Sequence, residues 1–296
     1  MLRGILQSFP TLLCAALFLA SSVLLTAQES TNATSGAATN SQPGAPPPSV
    51  GRSFSRSLTP YEPIYFLMGT YPAAEFQFSL KYQLLDPTNQ WPQGTTNLYF
   101  AYTQTSFWDL LSSDPSFYDT DYEPSGFLYF PDILEGREKQ SVHLDLQGGL
   151  QHESNGKGGI NERSLYTLYL QPALSVGHPG GLQFSLGPRA WAYAMDVSRN
   201  NADIASYRGY ADLRDTLSWK KKEWDDDQAC MLVTTYGVGD NGGYSTLKFD
   251  FSFSLKQWIH AFSPRIHAQY FTGYGQTLRQ YNQYSHGLRV GISLFD

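Results

Sequence analysis

The sequence predicts an all-β fold: a 12-stranded antiparallel transmembrane β-barrel over residues 59–296. Three observations carry this. Apolar and polar residues alternate at period two in segment after segment, the spacing that puts side chains on one face of a strand. Many of these segments reach the ~9–11 residues that a tilted membrane-crossing strand needs. Charged residues are only 16% of the 296-residue chain and aromatics are 15%, against an ordinary charged fraction of ~25%. Alternation alone also fits a soluble sandwich. Segment length and the repetition of greasy faces decide for a barrel, which closes because lipid cannot satisfy an open sheet edge.

Taken in order, residues 1–27 read as a secretory signal peptide: Arg3, a long apolar run, then Leu25-Thr26-Ala27 as the cleavage site. Its removal takes Cys14 and leaves Cys230 alone, so no internal disulfide is expected. Residues 28–58, rich in Ser, Thr, Asn, Ala, Gly and Pro, read as a flexible periplasmic leader.

Twelve strands are expected at roughly 61–69, 75–85, 96–105, 124–132, 141–154, 163–174, 181–195, 205–219, 228–239, 244–256, 261–273 and 285–295. Phe76, Phe78, Leu80, Tyr82 and Leu84 oppose Gln77, Ser79, Lys81 and Gln83. Leu247, Phe249, Phe251, Phe253 and Leu255 oppose Lys248, Asp250, Ser252 and Ser254. Twelve is an even number, as bacterial single-chain barrels have. With the leader in the periplasm, odd strands run outward, so residues 106–123, 155–162, 196–204 and 274–284 form outer loops. The charge cluster Lys220–Asp227 falls in a periplasmic turn as solvated charge.

The stretch Val142–Tyr169 organises the functional reading. Val142, Leu144, Leu146 and Leu150 share one face, and His152 and Ser154 continue it at the strand's end. A base and a hydroxyl two residues apart on one face, where greasy surface meets polar loop, suit chemistry on a lipid. Histidine is costly toward lipid, which marks it as a functional candidate.

The string His152-Glu153-Ser154-Asn155-Gly156, followed by Arg163-Ser164 and a tyrosine-rich strand, resembles the outer-membrane phospholipase A family. Upstream, Tyr61-Glu62-Pro63, Tyr102-Thr103-Gln104 with Phe107-Trp108, and Asp121-Tyr122-Glu123-Pro124 match in the same order. The resemblance implies a calcium-dependent phospholipase of the outer membrane that hydrolyses acyl esters of phospholipids and lysophospholipids. Ser154 is then the nucleophile and His152 the base. The family's orienting asparagine aligns with Tyr166, whose hydroxyl is expected to accept the imidazole N–H. The turn amide at Gly156 serves the oxyanion. Calcium ligands fall at the Lys157 carbonyl and the Glu162 side chain, with a partner subunit contributing backbone near Ser113 or Asp114. Gln104 shares the apolar face of Leu98, Phe100 and Tyr102, where a buried amide is costly if unpaired; the resemblance places it in a homodimer interface.

Other classes find no support. Net charge −6 offers no basic footprint for nucleic acid. No phosphate loop, HExxH or CxxC occurs, and His143, His178, His260, His267 and His286 show no metal spacing. The competing readings are a non-catalytic barrel of the same family, as a narrow pore or a structural relic, and a soluble lipid-binding sandwich. Lumen polarity separates the first: Lys81, Asp145, Glu153, Lys248, Asp250 and Arg289 are placed to plug the interior with charge pairs.

Overall fold

The computed structural model describes residues 58–70, 72–84, 97–134, 142–178, 181–194, 199–220, 228–256, 258–259 and 264–295. The signal and leader readings, and most of the Lys220–Asp227 cluster, lie outside these residues. Twelve antiparallel strands close into a barrel: β2 (Ile64–Gly69), β3 (Ala74–Gln83), β4 (Asn97–Trp108), β5 (Phe117–Phe130), β6 (Val142–Ser154), β7 (Ser164–Gly177), β8 (Leu182–Tyr193), β9 (Ala211–Lys220), β10 (Gln228–Val238), β11 (Ser245–Ser254), β12 (Arg265–Gly273) and β13 (Ser285–Phe295). Each pairs with its sequence neighbour, and β13 closes on β2 through pairs such as Val290↔Met68 and Ile292↔Phe66.

A short strand β1 (Leu58–Pro60) precedes them and pairs with β3 beyond β2. Between β1 and β2 the Tyr61-Glu62-Pro63 motif departs from the ladder. Tyr61 stacks on Phe127 and Glu62 pairs with Arg214 at 3.0 Å. The expected first strand therefore begins only at Ile64. Two further boundaries differ. The expected outer loop 106–123 shrinks to the residues between Trp108 and Phe117, so Asp121–Pro124 lies within β5. The expected strand 205–219 divides into a short helix α1 (Ile204–Arg208) and β9.

The barrel is inside out relative to a soluble protein. Leu128, Leu150, Leu168, Leu170, Leu288 and Val290 stand exposed on the outside, while Glu75, Gln269, His267, Arg265 and Arg289 are buried within. An apolar exterior over a polar interior is what a lipid-embedded barrel requires and a sandwich core excludes. Ion pairs fill the lumen, Arg289–Glu75 at 3.1 Å, Lys248–Asp250 at 3.2 Å and Arg208–Glu153 at 2.8 Å, and His267 Nε2 is hydrogen-bonded to Asp250 at 3.0 Å. Beside the Lys248–Asp250 pair lies a cavity of about 90 Å³, room for a few waters rather than an open channel.

Candidate active site

His152 and Ser154 sit at the end of β6 on the exterior face, in line with exposed Leu150. Antiparallel pairing sets what surrounds them. Tyr166 of β7 lies directly opposite His152, and Ser164 opposite Ser154. On the other side Tyr122 of β5 pairs with Ser154, and Gln104 of β4 pairs with Tyr122. Gln104, Tyr122, Ser154 and Ser164 thus share one level across four strands, putting Gln104 about 10 Å from Ser154 at ~4.8 Å per strand. Between β5 and β6 the ladder lapses opposite Glu123-Pro124, next to His152, because Pro124 has no N–H to offer.

The imidazole is held by the backbone. His152 Nδ1 lies 3.1 Å from the Leu165 carbonyl oxygen. A carbonyl only accepts, so Nδ1 carries the proton and Nε2 remains the basic nitrogen in the neutral ring. Tyr166 does not take the expected acceptor position. Its ring lies against the imidazole, with centroids 4.3 Å apart and planes inclined by 31°. Directly paired residues on one face stand only ~4.5–5.5 Å apart at Cβ, so two rings there come into contact. The stack predicts that Tyr166→Phe keeps parental kcat, whereas Tyr166→Ala loses about tenfold, the equivalent of one aromatic contact. Steady-state hydrolysis by the two variants checks this; a Phe variant as poor as the Ala variant would return the role to the hydroxyl. No hydrogen bond joins His152 to Ser154 among the described residues; such bonds commonly tighten only when substrate binds.

The loop after Ser154 is built on Asn155, 2% exposed. Its Oδ1 accepts from the N–H groups of Lys157 at 3.3 Å and Arg163 at 3.0 Å, and its Nδ2 donates to the Asn161 carbonyl at 3.0 Å. Sequence reasoning used Asn155 only as part of a turn; an Asn opening a Gly-rich loop is the available signal for such a keystone. Gly156 has φ 62°, and a Cβ there would stand 2.8 Å from the Tyr122 ring, so only glycine lets the turn pass beside Tyr122.

Gly156, Lys157 and Glu162 are exposed. The carbonyls of Gly159, Ile160, Asn161 and Glu162 each accept a hydrogen bond, from Asn200, Arg163, Asn155 and Arg163 respectively. Among the described residues no donor reaches the Lys157 carbonyl. A free carbonyl and a nearby carboxylate are hard oxygen ligands, but calcium takes six to eight. Among the described residues no three His, Cys, Asp or Glu side chains form a metal centre, so waters or a second chain must complete any site here. Asp114 is exposed on the β4–β5 loop, where its carbonyl accepts from Ser112 Oγ at 2.8 Å.

Gln104 faces outward as expected, yet its amide is largely satisfied within its own strand. Tyr102 Oη donates to Oε1 at 2.9 Å and Nε2 donates to Ser106 Oγ at 3.2 Å. The expectation that this amide needs a partner molecule therefore weakens to one remaining N–H. Below the level of Ser154 a groove of about 780 Å³ runs along the exterior, lined by Gly126, Leu128, Gly148, Leu150, Leu168 and Leu170 among others. Gly126 and Gly148 face lipid without side chains and leave the depression between the flanking leucines.

Comparison with known proteins fits this geometry. Residues 70–294 match the family model described as Phospholipase A1. Phospholipase A1 of Escherichia coli K12 is 27% identical over 198 residues, covering 66% of this chain and 61% of the relative. A relative from Neisseria meningitidis serogroup B is 29% identical over 209 residues, covering 68% of this chain and 49% of its own length. The chain thus spans about half to three fifths of these relatives. Two solved structures superpose with a TM-score of 0.65 at 24% identity over 81% of this chain: outer membrane phospholipase A from Escherichia coli, 99% covered, and the Salmonella typhi outer membrane phospholipase dimer with bound calcium, 93% covered. With the family model spanning most of the barrel, the chain belongs to the phospholipase A1 family.

Proposed function

We propose that this outer-membrane barrel is a calcium-dependent phospholipase that hydrolyses acyl esters of phospholipids and lysophospholipids at the outer leaflet. The observation that carries the reading is the lipid-facing dyad, in which the Leu165 carbonyl fixes the His152 tautomer beside Ser154. Ser154 attacks the ester carbonyl as its proton passes to His152 Nε2. The acyl-enzyme forms when His152 returns that proton to the departing glycerol oxygen. Water, deprotonated by His152, then releases the fatty acid and restores Ser154. The backbone N–H at Gly156, in the turn that follows Ser154, serves as a donor for the oxyanion. The groove below Ser154 is the apolar path for the acyl chain.

The Lys157 carbonyl and the Glu162 carboxylate are the residues that would hold calcium, with the Ser113–Asp114 backbone of a second copy. When bound, the ion supplies positive charge to the ester carbonyl oxygen. Gln104 stands at the level of Ser154 with one amide N–H left over, which supports a dimer through β4. Fatty-acid release from phospholipid micelles tests the reading. Chelation is expected to lower the rate by ~10²–10³, the scale of a lost oxyanion partner, and cross-linking in detergent should show dimer rising with calcium. A fully active monomer indifferent to chelator would remove both elements. The pore alternative meets a lumen packed with ion pairs.

A further inference from the structure

Residues 200–208, ahead of β9, brace the ends of β6 and β7 that carry the dyad and the loop between them. Asn201 is fully buried. Its Oδ1 accepts from the Ser164 N–H at 3.3 Å and its Nδ2 donates to the Ser164 carbonyl at 3.2 Å. Asn200 donates to the Gly159 carbonyl at 2.8 Å, within the loop that follows Ser154. Ile204 packs on Leu165, the residue whose carbonyl holds His152. Arg208, at the end of α1, sets Nη1 2.8 and 2.9 Å from the two carboxylate oxygens of Glu153. Glu153 is the residue between His152 and Ser154, and it points inward while they point out.

The loop is itself anchored. The Tyr281 hydroxyl donates to Asp203, and burial first, then that carboxylate, push its pKa above the ordinary range, so it stays protonated. Gly209 turns the chain at φ 62° where a Cβ would collide with the Val238 carbonyl. The dyad needs such support. Ser154↔Ser164 is the last pair of its ladder, and the ladder to β5 lapses opposite His152. A strand end whose ladder is interrupted on one edge frays more readily unless something else fixes it.

We propose that Asn201 and Arg208 are positioning residues for ester hydrolysis, acting through the Ser164 backbone and the Glu153 carboxylate on the strand ends that carry His152 and Ser154. This rests on the phospholipase reading above. A misplacement of about 1 Å can cost ~10²-fold in rate, so the loss should fall on kcat and leave substrate binding, made on the outer face, alone.

The test is steady-state hydrolysis in mixed micelles by Arg208→Met, Arg208→Lys, Asn201→Ala and Glu153→Gln, each first shown to be folded by its heat-dependent gel mobility. Arg208→Met, Asn201→Ala and Glu153→Gln should each lose about 30- to 100-fold in kcat, with KM within about twofold. Arg208→Lys should stay within about fivefold of the parent, because a single nitrogen makes both contacts to Glu153. If Arg208→Met does not fold, Glu153→Gln carries the same test without change of volume. Parental kcat in the folded variants, a rise in KM at constant kcat, or a Lys variant as poor as the Met variant overturns the inference. A parent that hydrolyses no ester overturns the phospholipase reading, and this inference with it.

Discussion

Replacing Ser154 by alanine is expected to lower ester hydrolysis by on the order of 10⁴–10⁶ and to leave the barrel folded. The substitution removes one hydroxyl. That hydroxyl makes no hydrogen bond among the described residues, and the pairs Tyr122↔Ser154 and Ser154↔Ser164 run through backbone. A surface change that breaks no partner costs within about 0.5 kcal/mol. His152→Ala should be as inactive, since without the imidazole no neighbouring base among the described residues is placed to take the serine proton. Fatty-acid release and heat-dependent gel mobility, measured on the same preparation, separate chemistry from folding. A folded Ser154→Ala protein keeping a tenth of parental activity would exclude Ser154 as the nucleophile.

The largest effect on stability is expected on the opposite wall. Arg289 is completely buried and pairs with Glu75 at 3.1 Å. Glu75 also accepts from Tyr65 Oη at 2.6 Å and from Gln269 Nε2 at 3.2 Å. Glu75→Ala removes the carboxylate that pairs with the buried guanidinium and leaves Tyr65 Oη only a long contact to Gln77 at 3.5 Å, while Gln269 Nε2 keeps its bond to Asp250 at 3.1 Å. Breaking a buried pair from one side costs about 3–5 kcal/mol. Replacing both partners, as Glu75→Leu with Arg289→Met, should recover most of the loss, because no charge then stays unpaired. Urea unfolding of the barrel from lipid vesicles, followed by tryptophan fluorescence, checks both. Equal stability of parent and Glu75→Ala would show that water in the lumen screens the pair and that the charges do not seal the interior.

Much of this was legible in the sequence because a membrane barrel writes its two faces into alternate residues. Leu288, Val290 and Ile292 announce lipid, and Arg289 between them announces a lumen. The same alternation placed His152, Ser154, Tyr166 and Gln104 outside and Glu153 inside. What escaped depends on groups far apart in the chain. The outer half of β5, which carries Asp119 and Asp121, was expected to be loop. Both aspartates are buried instead, accepting from the Arg279 and Leu278 N–H groups about 160 residues away. Residues 205–208 carried strand-like spacing and became a helix, since Ile204 docks on Leu165, Leu278 and Tyr281. The orienting partner of His152 could not be read at all. It is a backbone carbonyl, which no side-chain pattern records, and Tyr166 offers its ring where its hydroxyl was expected.

Hydrolysis rests on a serine that the lipid-facing histidine activates. A long-chain alkyl sulfonyl fluoride, incubated with the folded protein in detergent and calcium and followed by peptide mass spectrometry, probes that serine without turnover. The expected result is one adduct, on the peptide bearing Ser154, absent from the Ser154→Ala and His152→Ala proteins. An adduct on another residue, or a folded, calcium-loaded protein that takes no label, would contradict the account.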